Sequence, residues 1–146
     1  MDELVKSLKV SLATVFTFYL KVHFFHWNVE GEDFYQYHKL FEKIYEDVYD
    51  SVDPMAEEVR ALAKYVPGSL TRYIELSKVK DEIKVPTGAV MVERLLADND
   101  TVIDCLNDTM EKAQSANEQG LMNFLADRLD KHKKWGWFLR STQKGK

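Results

Sequence analysis

Four runs of apolar residues recur at three- and four-residue spacing along this chain, and most of its helix breakers fall between the runs. The first run, Asp2 to Asn28, places Leu4, Leu8, Leu12, Val15, Phe16, Tyr19 and His23 on one stripe. Gly31 breaks it. Asp33 then reads as an N-cap with Gln36 three residues on, a capping-box arrangement that opens a second helix. That helix carries Phe34, Phe41, Ile44, Val48, Val52, Met55, Val59 and Leu62, and it ends before Pro67-Gly68. A short helical turn is expected over Leu70–Leu76 inside the following connection. Pro86-Thr87-Gly88 opens the third long helix, with Val92, Leu95, Val102, Ile103, Leu106 and Met110 at helical spacing. A polar break at 115–119 precedes the fourth, which carries Leu121, Phe124, Leu125, Leu129, His132 and Leu139. No segment alternates with period two for long enough to predict a strand. The pattern predicts one all-α domain over residues 1–146, a four-helix bundle whose longer link between helices two and three permits a crossover.

Composition narrows the class further. A chain of 146 residues is large enough to bury a core, and three prolines and six glycines leave no low-complexity segment. The single Cys105 excludes an intrachain disulfide framework and fits a reducing compartment. The opening MDELVKSLKV is mixed in charge and lacks the apolar region of a signal peptide. No run of about eighteen apolar residues stands ready to span a bilayer. A cytoplasmic protein is expected. Charge is uneven: residues 128–146 hold seven Lys or Arg against Asp130 alone, a net +6, so the rest of the chain is −10 within a total of −4. An acidic body attracts cations and repels phosphate backbones. The basic end has two readings, a contact for nucleic acid or a solvated last helix with cations near its C-terminus.

Histidines and acids crowd residues 26–57, and together these are ligands for iron and other transition metals. At 100° per residue, His38, Glu42, Asp53 and Glu57 fall at about 0°, 40°, 60° and 100° around the second helix. They form one polar stripe. His38/Glu42 and Asp53/Glu57 are i,i+4 pairs, each close enough to share an ion. Glu42 and Asp53, however, are separated by about 16 Å along the axis. Metal–ligand bonds are near 2 Å, so the two pairs cannot share a metal within one chain. A shared site needs a second subunit running antiparallel across a two-fold axis, giving two equivalent sites per dimer. His26, near the end of the first helix, can turn toward His38 through the short 28–33 loop. A metal-free reading of the same residues is also open. Asp53-Pro54 can be an N-cap and first-turn proline that restart a helix, and Glu46, Asp47 and Asp50 read as solvated acids. His38 alone reads equally as a surface or core histidine.

These residues resemble a family. His26-Trp27-Asn28-Val29-x-Gly31-x-x-Phe34-x-x-x-His38-x-x-x-Glu42, followed by Asp53-x-Met55-Ala56-Glu57, is similar to the signature of the Dps proteins, or miniferritins. Leu125-x-x-Arg128-Leu129-x-x-His132-x-x-x-x-x-Phe138-Leu139-Arg140 resembles the family's fourth helix, so the likeness covers nearly the whole chain. It implies a ferritin-like four-helix bundle with a short extra helix between helices two and three, assembled into a dodecameric hollow shell. The Glu-x-x-His motif of ordinary ferritins is absent. Dps shells oxidise Fe(II), preferably with hydrogen peroxide, at sites on two-fold interfaces, and store the ferric mineral. Carried over, His26, His38 and Glu42 are metal ligands from one subunit, and Asp53 and Glu57 from the other. Iron is the implied metal, with zinc or another divalent ion able to use the same donors.

Three departures accompany the likeness. Glu42 stands where aspartate is frequent, Glu58 replaces an arginine often found after the final glutamate, and Pro54 predicts a kink or a re-satisfied backbone near Asp53. Trp27, beside a ligand, has two readings: packing at the dimer interface, or interception of stray oxidising equivalents. His23 reads as a supplementary ligand or a satisfied interfacial histidine, and His132 as structural. Glu118 and Asp127 are candidates for the acidic pores through which family shells admit iron. The chain has no Lys/Arg-rich N-terminal tail and ends on Lys144-Gly145-Lys146, so weak or absent DNA binding is expected at physiological salt. Two rivals to the ferroxidase reading are a nucleoid-associated DNA-binding shell with a degenerate iron site and a purely structural helical oligomer.

Overall fold

Local chemistry at the ends of the helical runs fixes five helices among residues 1–144, which the computed structural model describes. They are α1 (Asp2–Asn28), α2 (Phe34–Ala61), α3 (Leu70–Leu76), α4 (Gly88–Ser115) and α5 (Gln119–Gln143). Gly31, at φ +107°, makes the turn between α1 and α2 in a conformation that a side chain would strain. Ser69 caps α3 by accepting from Arg72 N, and Thr87 caps α4 by accepting from Val90 N. The capping box expected at Asp33 is not formed. Asp33 sits at φ −98°, ψ 14° rather than in extended conformation, so its side chain makes no capping bond, and its carbonyl accepts from Tyr37 N at 3.0 Å. Helices α2 and α4 close with the same device, a left-handed residue just past the end. Lys64 N donates to Val59 O and Ala63 N to Arg60 O; Glu118 N donates to Ala113 O and Asn117 N to Gln114 O. Asparagine suits that conformation at 117, whereas Ala63, at φ +65°, adopts it against its Cβ.

The long connection 62–87 carries the chain from α2 to α4, so the α1–α2 and α4–α5 hairpins pack into a four-helix bundle with α3 in the crossover. Helix α1 sits against α2, α4 and α3 at once. That position explains its composition. Leu4, Leu8, Leu12 and Val15 are buried as the stripe predicts, but Phe18, Val22 and Phe25 are wholly buried too, while Phe16, Tyr19 and His23 are only partly so. Among the described residues α1 alone is long and apolar enough to cross a membrane, yet most of its apolar stretch lies inside the bundle. Its apolarity is that of a core helix. Lys21, buried on α1, ties the connection to the bundle, with Nζ 2.9 Å from Asp98 Oδ2 and 3.2 Å from Lys80 O.

Helix α2 runs unbroken through Pro54. The restart reading of Asp53-Pro54 is therefore overturned. Pro54 and Asp50 are both exposed, so the carbonyl that the proline leaves without its helical donor can meet water. Ile44, Val48, Met55 and Val59 meanwhile continue one wholly buried stripe across the proline. Packing holds the helix where the backbone bond is missing.

A polar network crosses the bundle interior. Arg128 of α5 donates two parallel bonds to Asp47 of α2, both at 3.0 Å, and Trp135 Nε1 donates to Asp47 Oδ2 at 2.7 Å. Arg128 Nη2 also reaches His132 Nε2 at 3.0 Å, while His132 Nδ1 donates to Asn99 Oδ1 at 2.9 Å. Asn99 Nδ2 closes the circuit on His132 O at 2.8 Å. Two expectations are corrected here. Asp47 is not a merely solvated acid, and Arg128 is a buried partner rather than a cation of the solvated basic end. Burial works to raise Asp47, but bonds from Arg128 and Trp135 outweigh it and hold the carboxyl below its usual range. Burial, then Arg128, pushes His132 down to about 3 against the pull of Asp47. His132 is neutral and structural.

Candidate metal centre

The last turn of α1 leaves backbone carbonyls without helical partners, and that defect organises the site. His38 of α2 places Nδ1 2.8 Å from His26 O. His26 places Nδ1 2.8 Å from His38 O. The two imidazoles thus donate to each other's backbone and stack at 3.8 Å with 15° between planes. With Nδ1 carrying the proton in each ring, Nε2 keeps its lone pair. One ligand atom from each of His26, His38 and Glu42 lies within 4.8 Å of the other two. Donors bound to one ion at about 2.0–2.2 Å lie up to about 4 Å apart. The three side chains therefore stand almost at ligating distance. His26 is buried, whereas His38 and Glu42 are half-buried, so the cluster opens to the surface.

Asp53 and Glu57 do not join this group within the chain. Both are exposed on the continuation of α2, and the unbroken helix keeps Asp53 about 16 Å from Glu42 along the axis. A groove of about 650 Å³, lined by Phe16, Tyr49, Val52, Asp53, Pro54 and neighbours, runs beside them. The arrangement has one converged half and one displayed half. Of the other residues singled out in the sequence, Trp27 is 59% exposed and lies against the His23 ring at 4.0 Å. His23 does not belong to the converged group; its Nδ1 is 2.9 Å from Tyr19 Oη, and its ring stacks on Tyr45. Burial, then His26, pushes His23 below its ordinary value. Glu118 is the N-cap residue of α5 and Asp127 is exposed on it. Glu58 is pushed up by burial and by the Glu118 carboxylate. The aromatic set of Tyr19, Tyr45 and Tyr49 beside the cluster was missed from the sequence, although 19/23 and 45/49 both repeat at one-turn spacing.

Comparisons with known proteins identify the family of the fold. Residues 5–144 match the ferritin-like domain family. The chain is 30% identical over 140 residues to the DNA protection during starvation protein of Helicobacter pylori, covering 95% of both chains. It superposes on Dps from Staphylococcus aureus with a TM-score of 0.94 and 29% identity, covering 100% of this chain and 98% of that one. The DPS protein from Vibrio cholerae O1 has the same fold, with a TM-score of 0.93 at 24% identity and coverage of 98% and 90%. That protein is described as a member of a broad superfamily of ferritin-like diiron-carboxylate proteins. The chain belongs to the Dps proteins of the ferritin-like family.

Proposed function

We propose that the protein is a ferroxidase and iron store: a cytoplasmic, dodecameric hollow shell that takes up Fe(II), oxidises it with hydrogen peroxide and retains the ferric mineral. His26, His38 and Glu42 of one subunit meet Asp53 and Glu57 of its partner, so each two-fold dimer carries two equivalent sites. The observation that carries this reading is the reciprocal pairing of His26 and His38, which commits Nδ1 of each ring to a backbone carbonyl within a group that Glu42 completes. Neutral imidazole and carboxylate suit Fe(II), and the same set accepts Zn(II). Negative oxygen donors favour the ferric product. Two Fe(II) ions give up one electron each; the O–O bond of peroxide breaks and, with two protons, yields two waters. Pairing the irons keeps a lone electron from releasing hydroxyl radical. Trp27, exposed beside His26, packs against the partner subunit in this arrangement.

The test is anaerobic stopped-flow mixing of Fe(II)-loaded protein with peroxide, alongside light scattering for shell size. Oxidation faster than in protein-free buffer is expected, with the gain lost in His38→Ala. A rate equal to buffer, or a stable monomer, overturns the reading.

Direct DNA binding is proposed to be weak or absent. Within the basic end, Arg128 is paired to Asp47, and Asp130 lies within 4.0 Å of both Lys133 and Lys134. Lys131, Arg140 and Lys144 are the exposed cations left among the described residues there. Of the basic ending, residues 145 and 146 lie outside the described residues. A gel shift that persists at about 150 mM salt, where exposed charges more than about 8 Å apart are screened, would favour the nucleoid-associated alternative.

A further inference from the structure

Three elements, not two, meet beneath the histidine pair. Val29 leaves α1 three residues after His26, and Tyr37 comes immediately before His38 on α2. Both side chains are buried. Gly88 opens α4, which arrives there from the other hairpin. A Cβ on Gly88 would stand 3.0 Å from two carbons of the Tyr37 ring, Cδ2 and Cε2, and 3.4 Å from Val29 Cγ2. Non-bonded carbons pack at about 3.5–4.0 Å, so the ring already fills the space a side chain would need. Helix propensity does not account for glycine at this position, since alanine favours a helix more. Close approach of the ring to the backbone does. Tyr37 has little room to yield, being 5% exposed with Phe41 one turn further along α2, centroid 6.0 Å away.

The bonding of the two histidines makes this seat consequential. His38 Nδ1 reaches His26 O and His26 Nδ1 reaches His38 O, each at 2.8 Å. Both bonds run between the same two residues in opposite directions. Sliding or turning the start of α2 against the end of α1 therefore stretches at least one of them. The turn that joins the two helices is built on Gly31, at φ +107°, and such a turn does not fix their relation by itself. Val29 and Tyr37 stand on the two arms of the turn, and Gly88 borders both.

We propose that Tyr37, seated on Gly88, is a positioning residue for the His26–His38 pair, so that the start of α4 holds the two imidazoles in ligating geometry. Neither Tyr37 nor Gly88 is a ligand. They act through the backbone of His38, by setting where the first turns of α2 stand against the last turn of α1. The ring does this work and the hydroxyl does not. Use of the pair for metal rests on the ferroxidase reading, whereas the seat itself does not.

The test uses the full-length, metal-free protein in two measurements. Crystal structures give the His38 Nδ1–His26 O distance, and Zn(II) titration gives the affinity of the site. Gly88→Ala sets one methyl against the ring, and Gly88→Val sets a branched side chain there. The distance should grow in that order from 2.8 Å, passing about 3.5 Å in Gly88→Val, where a hydrogen bond ends. Zn(II) affinity should fall with it, by about ten- to hundredfold in Gly88→Val, the usual loss when a ligating histidine loses its orienting partner. Tyr37→Phe keeps the ring and should match wild type, whereas Tyr37→Leu empties the seat and should weaken Zn(II) binding. In the Tyr37→Leu background Gly88→Val should cost nothing further, because the ring that transmits the push is gone. Thermal melts and light scattering check folding and assembly, and Gly88→Ala carries both measurements if Gly88→Val does not assemble. Wild-type distance and affinity in the Gly88 variants, losses that simply add, or a loss in Tyr37→Phe equal to that in Tyr37→Leu would overturn the proposal. If wild type binds no Zn(II), the ligand reading fails and the distances alone decide the seat. Tight Zn(II) binding with unchanged distances throughout removes the seat and leaves the ferroxidase test standing.

Discussion

His132 and the His26–His38 pair are the same side chain put to opposite ends. His132 lies wholly buried, with Nδ1 donating to Asn99 and Nε2 facing the Arg128 guanidinium. Both nitrogens are committed. His26 and His38 each commit Nδ1 to a backbone carbonyl, have no such bond at Nε2, and cluster with Glu42. The difference teaches that burial alone does not separate a structural histidine from a candidate ligand, since His26 is buried as well. What separates them is the number of uncommitted nitrogens and the company they keep. Around His132 the charges of Asp47 and Arg128 cancel. Around His38 the nearest carboxylate has no cation opposing it in any ion pair of the described residues.

Removing one member from each region should therefore give opposite results, and these are the largest effects expected. Arg128→Ala leaves Asp47 with only Trp135 and strips His132 of its Nε2 partner. Breaking a buried, doubly bonded pair costs about 3–5 kcal/mol, and the partial exposure of Asp47 puts this variant near the lower end. Denaturant titration should show that loss. His38→Ala removes a half-exposed ring and one hydrogen bond, a cost of about 1 kcal/mol, yet it should abolish accelerated Fe(II) oxidation. If His38→Ala proves as destabilising as Arg128→Ala, the cluster is a structural network and the contrast collapses.

Acid tests the contrast from the side of the buried network. Burial and the Arg128 guanidinium push the folded pKa of His132 down to about 3 from its ordinary value of 6.5. Between those values the unfolded chain binds a proton that the folded chain refuses, so stability rises with pH through that window. Read downward, the contribution is complete above pH 6.5 and is lost as pH falls toward 3. Asp47, with a lowered folded pKa, adds a further loss below its unfolded value. One fully shifted group contributes at most about 1.4 kcal/mol per pH unit. His132→Gln should flatten the pH dependence of the denaturation midpoint between pH 6 and 4. An unchanged slope would show that His132 is not the group refusing the proton.

The sequence could be read as far as its arithmetic reached. Helical spacing put His38, Glu42, Asp53 and Glu57 on one stripe, and the axial gap divided them before any contact was known. Helix boundaries followed from Gly31, Pro67-Gly68 and Pro86-Thr87-Gly88, which act locally. The Asp47–Arg128 pair escaped notice because its members are 81 residues apart, on helices separated in sequence by the crossover and all of α4. No local spacing encodes that meeting. The Asp33 capping box failed for the reverse reason, since its residues were right but its backbone was not extended. Pro54 looked like a restart because a local rule says proline ends helices. Burial of Met55 and Val59 on the same stripe as Val48 overrode the rule.

Glu42→Asp is the finest probe of the open region and should have the smallest effect. Both residues offer a carboxylate, but aspartate is one methylene shorter and would draw its oxygen back toward the α2 axis. Nothing in the buried network touches Glu42, and its half-exposed stem adds little packing, so stability should stay within about 0.5 kcal/mol. Retaining the carboxylate should also retain the reaction, with metal affinity shifted by less than about tenfold, or 1.4 kcal/mol. Zn(II) competition against Fe(II) oxidation would measure that shift. A loss as complete as in His38→Ala would mean that the length of Glu42, rather than its charge, closes the ligand set. An affinity identical to wild type would instead place Glu42 outside it, leaving the two Nε2 atoms to depend on Asp53 and Glu57 alone.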